Sequence, residues 1–341
     1  MIALKVEAKN AQSAIAFLKK KSLLDRGFKI FRKGQLVYLP LSNKNHSDKP
    51  EKGIAGLAKR LGGEMTEERF RKADRNPIPA VPAFYEKASR GYDLLGNIAI
   101  IDAEPKAAKK VAKAVMLNNK NVETVVRKAG AVSGKYRTRK YAHVIGRRNY
   151  TATYRENGCI FEFDIRKTFF SQRLSYERKR IADASRGKEN VMVMFAGVGP
   201  FAIEIAKHNR LANVIGIELN RYAYGAMKRN IELNGTANAE AIYGDVRKEV
   251  KRYENWADRV VMPLPMSSNA FLEEAASAAR NGCRVHYYTF GGKDTAFEDA
   301  KAQIREFFSK QGTRARFAFG REVRPYSARE IEIVIDFIVR K

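Results

Sequence analysis

The alternation of strand-like and helical segments in the second half of the chain limits its fold more than any other feature. Seven runs with strand composition occur after residue 190, and helical segments separate the first six. The predicted strands are Val191–Phe195, Val214–Glu218, Ala239–Tyr243, Arg259–Met262, Arg284–Thr289, Arg314–Phe319 and Glu330–Phe337. Strands that alternate with helices favour a parallel sheet covered by helices, and the last two runs can pair as a hairpin. The pattern therefore predicts an α/β domain with a Rossmann-like, seven-stranded sheet over residues 166–341.

Two smaller modules are predicted before this domain. Residues 1–75 read as a basic α/β module with a strand at 1–7, a helix at 11–24, a β run at 28–41 broken by a turn at 33–34, and a loop at 42–50. Three prolines predict a linker at 76–82, because proline disfavours helix and central strand. Residues 83–165 form the second module, with a strand at 97–102 and a helix at 104–117. Its clearest signal is Asn157-Gly158 between two alternating runs, which predicts a tight hairpin.

The charge of the chain indicates a polyanionic partner. There are 65 Lys and Arg residues against 37 Asp and Glu, a formal charge of +28, which disfavours an enzyme acting only on small neutral substrates. In the segment 135–143 basic and aromatic residues interleave, as RNA-binding surfaces do, although a solvated strand face gives the same pattern. We expect a cytoplasmic monomer with no membrane association and no obligate protein partner. No leader or long apolar run is visible, and the only cysteines are Cys159 and Cys283.

Three features predict a cofactor site at the carboxyl ends of the first three strands of the sheet. Gly197 and Gly199 follow the first strand, and their missing side chains leave room for a ligand beside the N-terminus of the next helix. Glu218 ends the second strand, where a carboxylate can accept hydrogen bonds from ribose hydroxyls. Asp245 follows the third strand. The glycines do not form the dinucleotide fingerprint, which argues against a phosphate-bearing cofactor. The three features together lead us to expect S-adenosylmethionine, and no metal-ligand cluster is evident.

The chain resembles the archaeal tRNA (guanine-37-N1)-methyltransferases over nearly its whole length, most strongly from about residue 135 onward. The motifs are Tyr136-Arg-Thr-Arg139, Glu156-Asn-Gly158, Arg173-Leu-Ser-Tyr-Glu-Arg178, Phe195-Ala-Gly-Val-Gly-Pro-Phe201, Pro263-Leu-Pro265, His286-Tyr-Tyr-Thr289 and Pro325-Tyr-Ser-Ala-Arg-Glu330. The resemblance implies a class I methyltransferase sheet, preceded by two RNA-binding modules. It also implies methyl transfer from S-adenosylmethionine to N1 of guanosine 37, with contacts to the anticodon loop and outer corner of tRNA.

The resemblance also implies roles for particular residues. Glu177 matches the general base of the family, and Arg137 matches the arginine that stabilises charge on O6. Without the resemblance, Glu177 reads as a surface salt-bridge residue and Arg137 as a phosphate binder. The implied cofactor contacts are Arg178, Phe195, Ala196, Gly197, Val198, Gly199, Pro200, Glu218, Leu219, Asp245, Val246 and Pro263. The implied substrate contacts are Arg137, Arg139, Pro265, Tyr326 and Arg329.

Two positions depart from the family pattern. Val193 stands where an aspartate is usual, and Pro263 where many members have asparagine. These departures raise the alternative of a tRNA-binding protein without activity. A separate alternative is a wybutosine-pathway relative, by aminocarboxypropyl transfer or by dual methylation of guanosine and a tricyclic base, although Glu177 and Pro263-Leu-Pro265 favour methyl transfer. His286 is open to interpretation as a satisfied core residue, and the turn at 325–329 as an ordinary hairpin connection.

Overall fold

The computed structural model describes residues 1–20, 23–25, 28–42, 50–71 and 91–341. The chain divides into two compact units, Met1–Pro82 and Ala83–Lys341. The predicted linker at 76–82 and nearly all of the predicted loop at 42–50 lie outside the described residues. In the described part of the chain, no helix has the length and apolar character needed to cross a lipid bilayer.

The first unit contains an antiparallel sheet with two helices. Its strands are β1 (Ile2–Glu7), β2 (Phe31–Lys33), β3 (Leu36–Pro40) and β4 (Glu64–Glu67), in the order β2-β3-β1-β4. Helices α1 (Ala11–Lys20) and α2 (Pro50–Arg60) contribute the apolar faces that cover it. The predicted helix to Leu24 is too long, because Leu24 forms a β-bridge with Leu41 instead. Tertiary pairing thus overrides the helical periodicity at this end.

The second unit begins with a four-stranded sheet that one helix covers. Its strands are β5 (Tyr92–Leu95), β6 (Ile98–Ile101), β7 (Thr124–Ser133) and β8 (Thr138–Gly146), with α3 (Pro105–Asn118) between β6 and β7. Only β6 and β7 pair in parallel, because the helix forms the crossover between them. The predicted strand at 97–102 and helix at 104–117 are confirmed within one residue.

The predicted hairpin at Asn157-Gly158 is confirmed. Strands β9 (Thr151–Glu156) and β10 (Cys159–Asp164) pair across these two residues, which have φ values of 45° and 77°. Two asparagine side chains accept hydrogen bonds from the edge of β10 with which no described strand pairs. The Ile160 N–H donates to Asn234, and the Glu162 N–H donates to Asn230. The hairpin is therefore fixed to the helix that carries these asparagines.

All seven strands predicted for the second half of the chain are present. They are β11 (Asn190–Met194), β12 (Asn213–Glu218), β13 (Ala239–Tyr243), β14 (Ala257–Met262), β15 (Ala279–Gly292), β16 (Arg314–Pro325) and β17 (Glu330–Arg340). Their order is β13-β12-β11-β14-β15-β17-β16, in which β11 to β15 run parallel and β17 is antiparallel to both of its neighbours. The helices are α4 (Ser175–Ala184), α5 (Pro200–His208), α6 (Arg221–Leu233), α7 (Val246–Glu249), α8 (Leu272–Ala278) and α9 (Ala296–Lys310). The predicted Rossmann-like fold is confirmed.

Alternating apolar side chains place helices on both faces of this sheet. In β11, Val191 and Val193 pack with α4, α5 and α6, whereas Met192 and Met194 pack on the face that α8 and α9 cover. Such burial on both faces explains why the strand is apolar at every position after Asn190. The polar ends of the strands are left at the carboxyl edge, where β11, β12, β13 and β14 end together.

Candidate active site

The turn after β11 leaves one glycine facing solvent and one facing the core. Gly197 (φ 60°) lines a cavity, and an added Cβ there would meet nothing closer than 3.9 Å. Gly199 (φ 89°) lies beside α6, where a Cβ would be 2.7 Å from the Met227 side chain. The first glycine thus provides the backbone conformation and an open approach, and the second allows helix packing. Phe195 also has a positive φ of 55°, and its ring packs edge-on against Phe271 in the cavity wall.

Glu218 holds this turn and faces the same cavity. Its Oε2 accepts a hydrogen bond from the Gly197 N–H at 2.7 Å, and its Oε1 accepts from the Asn220 N–H at 2.6 Å. Burial raises the pKa of Glu218, and these backbone donors oppose that shift by stabilising the ionised form. Each oxygen keeps a second lone pair, so the carboxylate can still accept hydrogen bonds from ribose hydroxyls.

The cavity at this edge, which we call the glycine cavity, has a volume of about 530 Å³. That volume is within the usual range of small-molecule sites, roughly 300–1,000 Å³. Its wall joins the loops after β11, β12, β13 and β14 to the turn before β8. Predicted cofactor residues in the wall are Phe195, Gly197, Glu218, Leu219, Asp245, Val246 and Pro263. Asp245 also caps α7, because its Oδ1 accepts a hydrogen bond from the Arg247 N–H.

A second cavity of about 500 Å³, here the basic cavity, adjoins the first. The two share four wall residues, Arg137, Phe169, Ser171 and Arg324. Further cations in the basic cavity are Lys128, Arg139 and Arg173, and its aromatic residues are Tyr141, Phe163, Phe169, Phe170 and Tyr326. Cations interleaved with aromatic rings suit a nucleotide, because they offer both phosphate contacts and stacking surfaces.

Arg137 lies in the wall between the cavities. It ends the turn that joins β7 to β8 and has a positive φ of 51°, which is uncommon for a side chain of this size. Its guanidinium lies over the Phe169 ring, 5.2 Å from the ring centre. A strained backbone and a stacked side chain together direct this charge into the shared wall.

Glu177 lies in the first turn of α4, is 1% exposed, and does not line either cavity. Its Oε2 accepts hydrogen bonds from Arg180 Nε at 3.0 Å and from the Tyr288 hydroxyl at 2.9 Å. Its Oε1 is buried and accepts no hydrogen bond from the described residues. The Arg321 guanidinium is 3.2 Å from this oxygen. One carboxylate oxygen is therefore held by two hydrogen bonds, and the other is paired only with the partly exposed Arg321 guanidinium.

Arg180 connects Glu177 to a buried polar network at the centre of the sheet. Its Nη1 is 2.6 Å from Asp336 Oδ2, and Asp336 Oδ1 is 2.7 Å from His286 Nδ1. Arg259 Nη1 is 2.8 Å from the other ring nitrogen of His286. Because an arginine can only donate, His286 accepts at Nε2 and donates from Nδ1 as a neutral imidazole. Burial lowers the pKa of His286, so this histidine is a satisfied core residue.

Arg178 does not reach the cofactor cavity, because two buried glutamates of the hairpin and α5 hold it. Its Nε is 2.6 Å from Glu156 Oε1 and 3.4 Å from Glu204 Oε1, and its guanidinium also donates to the Ser171 carbonyl. Since Ser171 lines both cavities, Arg178 positions the wall from behind.

The two glutamates share one guanidinium, which leaves one negative charge uncompensated. Burial and the Glu156 carboxylate raise the pKa of Glu204 from an ordinary 4.5 to about 8. The folded protein therefore keeps a proton on Glu204 in a pH range where the unfolded chain has lost it. The stability that this proton provides is fully present below pH 4.5 and is lost as the pH rises through about 8.

Several other predicted residues lie outside the cavities. Ala196 and Val198 are buried in the core, and Gly199 and Pro200 form the start of α5. Their backbone shapes the turn, but their side chains do not line the cavity. Arg139 and Tyr326 line the basic cavity and Pro265 the glycine cavity, whereas Arg329 lines neither. Val193 is fully buried among Val261, Tyr288 and their neighbours, and it does not line the glycine cavity.

Arg324 and Glu332 are among the wall residues that were not identified from the sequence. Arg324 lies in both walls, and Glu332 lies in the wall of the glycine cavity, where Arg324 Nε donates to its Oε2 at 2.6 Å. The available signal was an acid inside the apolar run of β17, because an acidic side chain that is buried needs a partner. Their position opposite each other in the β16–β17 pair could not be read from the sequence.

Comparison with known proteins identifies the family. The model of the TRM5/TYW2 methyltransferase domain matches residues 152–315. Models of the tRNA methyltransferase 5 and TYW2 N-terminal domains match residues 3–49 and 82–149. The tRNA (guanine(37)-N(1))-methyltransferase Trm5b of Pyrococcus abyssi is 34% identical over 348 residues, which cover 99% of each chain. This chain belongs to the tRNA (guanine-37-N1)-methyltransferase family.

Solved structures of the family agree with this assignment. The crystal structure of Trm5b from Pyrococcus abyssi covers 100% of both chains with a TM-score of 0.70 and 32% identity. A complex of aTrm5 with tRNALeu covers 99% of both chains, with a TM-score of 0.66 and 26% identity. Methanocaldococcus jannaschii Trm5 in complex with adenosine covers 100% of both, with a TM-score of 0.63 and 26% identity. A tRNA 4-demethylwyosine(37)-methyltransferase, Taw21 of Saccharolobus solfataricus, is 31% identical over 72% of this chain and 92% of its own length.

Proposed function

We infer that this protein transfers a methyl group from S-adenosylmethionine to N1 of guanosine 37 in tRNA. The observation that carries this conclusion is the shared wall of the two cavities. The glycine cavity has the strand-end features of a nucleoside cofactor site, and the adjoining basic cavity suits a nucleotide. Full-length similarity to guanosine-37 methyltransferases supports the same reaction.

The residues of the glycine cavity fit the cofactor. We propose that the Glu218 carboxylate accepts hydrogen bonds from the ribose hydroxyls and that Leu219, Val246 and Phe271 enclose the adenine. The open approach at Gly197 admits the ligand close to the backbone. S-adenosylmethionine supplies a methyl group that its sulfonium has already activated. The protein therefore has to orient guanine, remove its N1 proton and stabilise the resulting charge.

We propose that Arg137 donates hydrogen bonds to O6 of the target guanine. Loss of the N1 proton moves negative charge onto O6, and a fixed guanidinium stabilises that charge more than it stabilises the neutral base. Arg137 lines both cavities, which supports this role, because a base in one cavity and a cofactor in the other would meet at their shared wall.

We propose that Glu177 takes the N1 proton on Oε1. Arg180 and Tyr288 hold Oε2, so the carboxylate has a fixed orientation and its unbonded oxygen is the acceptor. Arg321, which is 3.2 Å from Oε1 and 32% exposed, has to move aside for this step. Its exposure makes such a movement feasible, because its guanidinium can exchange the carboxylate for water.

We propose that the basic cavity holds the ribose-phosphate backbone around the target nucleotide. Arg139, Tyr326 and Arg173 would contact the anticodon loop there. Residues 1–75 would bind the outer corner of the tRNA, with 76–82 as linker, 83–165 as a central RNA-binding module and 166–341 as the methyltransferase domain. We further propose that the protein acts as a cytoplasmic monomer, since its charge of +28 opposes self-association.

The direct test is methyl transfer to two tRNA transcripts that differ only at position 37. We expect transfer from labelled S-adenosylmethionine to the transcript with guanosine there and none to the transcript with adenosine. Equal transfer to both would mean that the site acts on another nucleotide.

A second candidate reaction is methylation of the tricyclic base 4-demethylwyosine at the same position. The similarity to Taw21 over 72% of the chain favours it as an additional activity. Transfer to tRNA that carries this base, detected by mass spectrometry of the nucleoside, would establish it. The same measurement would reveal aminocarboxypropyl transfer, since the added group has a different mass. No binding of S-adenosylmethionine to the purified protein would favour an inactive tRNA-binding protein instead.

A further inference from the structure

Strand β17 contains two buried carboxylates on one face, Glu332 and Asp336. Asp336 is fully engaged by Arg180 and His286 in the interior of the sheet. Glu332 lies four residues earlier, at the carboxyl edge of the sheet, and lines the glycine cavity. The two acids therefore differ in what they face, although the strand buries both.

The Glu332 carboxylate has one oxygen bound and one oxygen available. Arg324, directly opposite on β16, donates from Nε to Oε2 at 2.6 Å. Among the described residues, no donor hydrogen-bonds Oε1. Because Glu332 lines the glycine cavity, this oxygen is open to a donor that a ligand in the cavity supplies.

The charged groups that act on Glu332 include the two groups to which we assign roles in the reaction. Burial raises the pKa of Glu332, the Arg324 and Arg137 guanidinium groups oppose that shift, and Glu177 adds to it. Glu332 thus lies within electrostatic reach of the groups that we assign to O6 and to the N1 proton.

Guanine presents an acceptor and two donors along one edge: O6, N1–H and the exocyclic N2 amine. Arg137 and Glu177 account for the first two in the proposed function, on which this inference rests. The amine requires an acceptor of its own, because a donor left without a partner in a dry site is costly. We propose that Oε1 of Glu332 accepts a hydrogen bond from the N2 amine and makes the site specific for guanine.

Inosine tests this assignment, because it differs from guanosine only by lacking that amine. A site built to accept a hydrogen bond rejects the analogue that lacks the donor, since its own acceptor stays unpaired. We expect the wild-type protein to methylate tRNA with guanosine 37 about 10- to 100-fold more efficiently in kcat/KM than tRNA with inosine there.

Glu332→Gln should abolish this preference. Arg324 will hold the amide oxygen, so that the new NH2 group faces the guanine amine, donor against donor. We expect kcat/KM for guanosine to fall about 10- to 100-fold and that for inosine to change little, so that their ratio approaches one. Glu330→Gln, at the exposed first position of the same strand, is the matched control and should keep the wild-type ratio.

Three outcomes decide the matter. A wild-type ratio near one, or a Glu332→Gln variant that loses activity equally on both transcripts, would overturn the proposal and leave Glu332 only as the partner of Arg324. No methyl transfer by the wild-type protein to either transcript would instead overturn the proposed function. If Glu332→Gln does not fold, Glu332→Asp withdraws the carboxylate by one methylene, keeps its charge and should reduce the ratio; an unchanged ratio there also refutes the assignment.

Discussion

Replacing Glu177 with glutamine removes the proposed proton acceptor and changes little else. The amide has the same shape, and its oxygen can still accept from Tyr288 or Arg180. Arg180 remains paired with Asp336 at 2.6 Å, so the substitution does not leave a buried charge alone. We expect a loss of stability of about 1–3 kcal/mol.

The expected kinetic effect is larger than the structural one. Loss of a general base slows a reaction by about 10²–10⁴-fold, which corresponds to roughly 2.7–5.4 kcal/mol in the activation free energy. The rate should be measured in a single turnover with saturating tRNA and S-adenosylmethionine, so that the chemical step and not product release is observed. Equilibrium tRNA affinity should stay within about threefold.

Asp336→Asn is the matched control. It neutralises a carboxylate of similar burial that binds the same arginine but lies away from the cavities. We expect it to lower the melting temperature and to leave the single-turnover rate close to that of the wild type. The reasoning is refuted if Glu177→Gln retains wild-type turnover with chemistry rate-limiting, or if Asp336→Asn loses as much single-turnover rate as Glu177→Gln.

Three further predictions concern stability and binding. Glu204→Gln should flatten the fall in stability between pH 6 and 9, since the residue would no longer lose a proton near pH 8; an unchanged melting profile would contradict the raised pKa. The affinity for tRNA should fall steeply as the salt concentration rises, because each phosphate that the protein neutralises releases counterions. An affinity that does not change with salt concentration would mean that the basic residues behind the net charge of +28 do not contact the RNA. Val193→Asp should destabilise the protein by about 3 kcal/mol or more without tightening S-adenosylmethionine binding, since that side chain is fully buried. Val193→Ala is its control and should cost about 1–2 kcal/mol. Tighter cofactor binding by Val193→Asp would contradict the assignment of this residue to the core.

The sheet could be predicted from the sequence because its local signals agree. Strand composition, the spacing of the helices and the glycine turn all indicated the same architecture, and the Asn157-Gly158 hairpin depends only on adjacent residues. The helix at 11–24 was predicted too long because its end depends on a distant partner, Leu41. Local periodicity contains no information on that contact.

The cofactor edge could also be predicted from the sequence, since the carboxyl ends of parallel strands lie together at one edge of the sheet. The wall formed by β16 and β17 could not. Arg324 and Glu332 meet through an antiparallel register between two long strands, and Arg178 turns away because two glutamates from separate elements hold it. Such pairings arise only when the chain is folded. Residue type alone therefore indicated neither that Arg324 and Glu332 line the site nor that Arg178 does not.

The most direct test of the account is the chemical identity of the methylated nucleoside. Wild-type protein, tRNA with guanosine 37 and isotopically labelled S-adenosylmethionine should be incubated, and the RNA digested to nucleosides and to mapped fragments for mass spectrometry. The account predicts one labelled product, 1-methylguanosine, in the fragment that contains position 37. Label on N2 or N7 of guanine, or in another fragment, would contradict it.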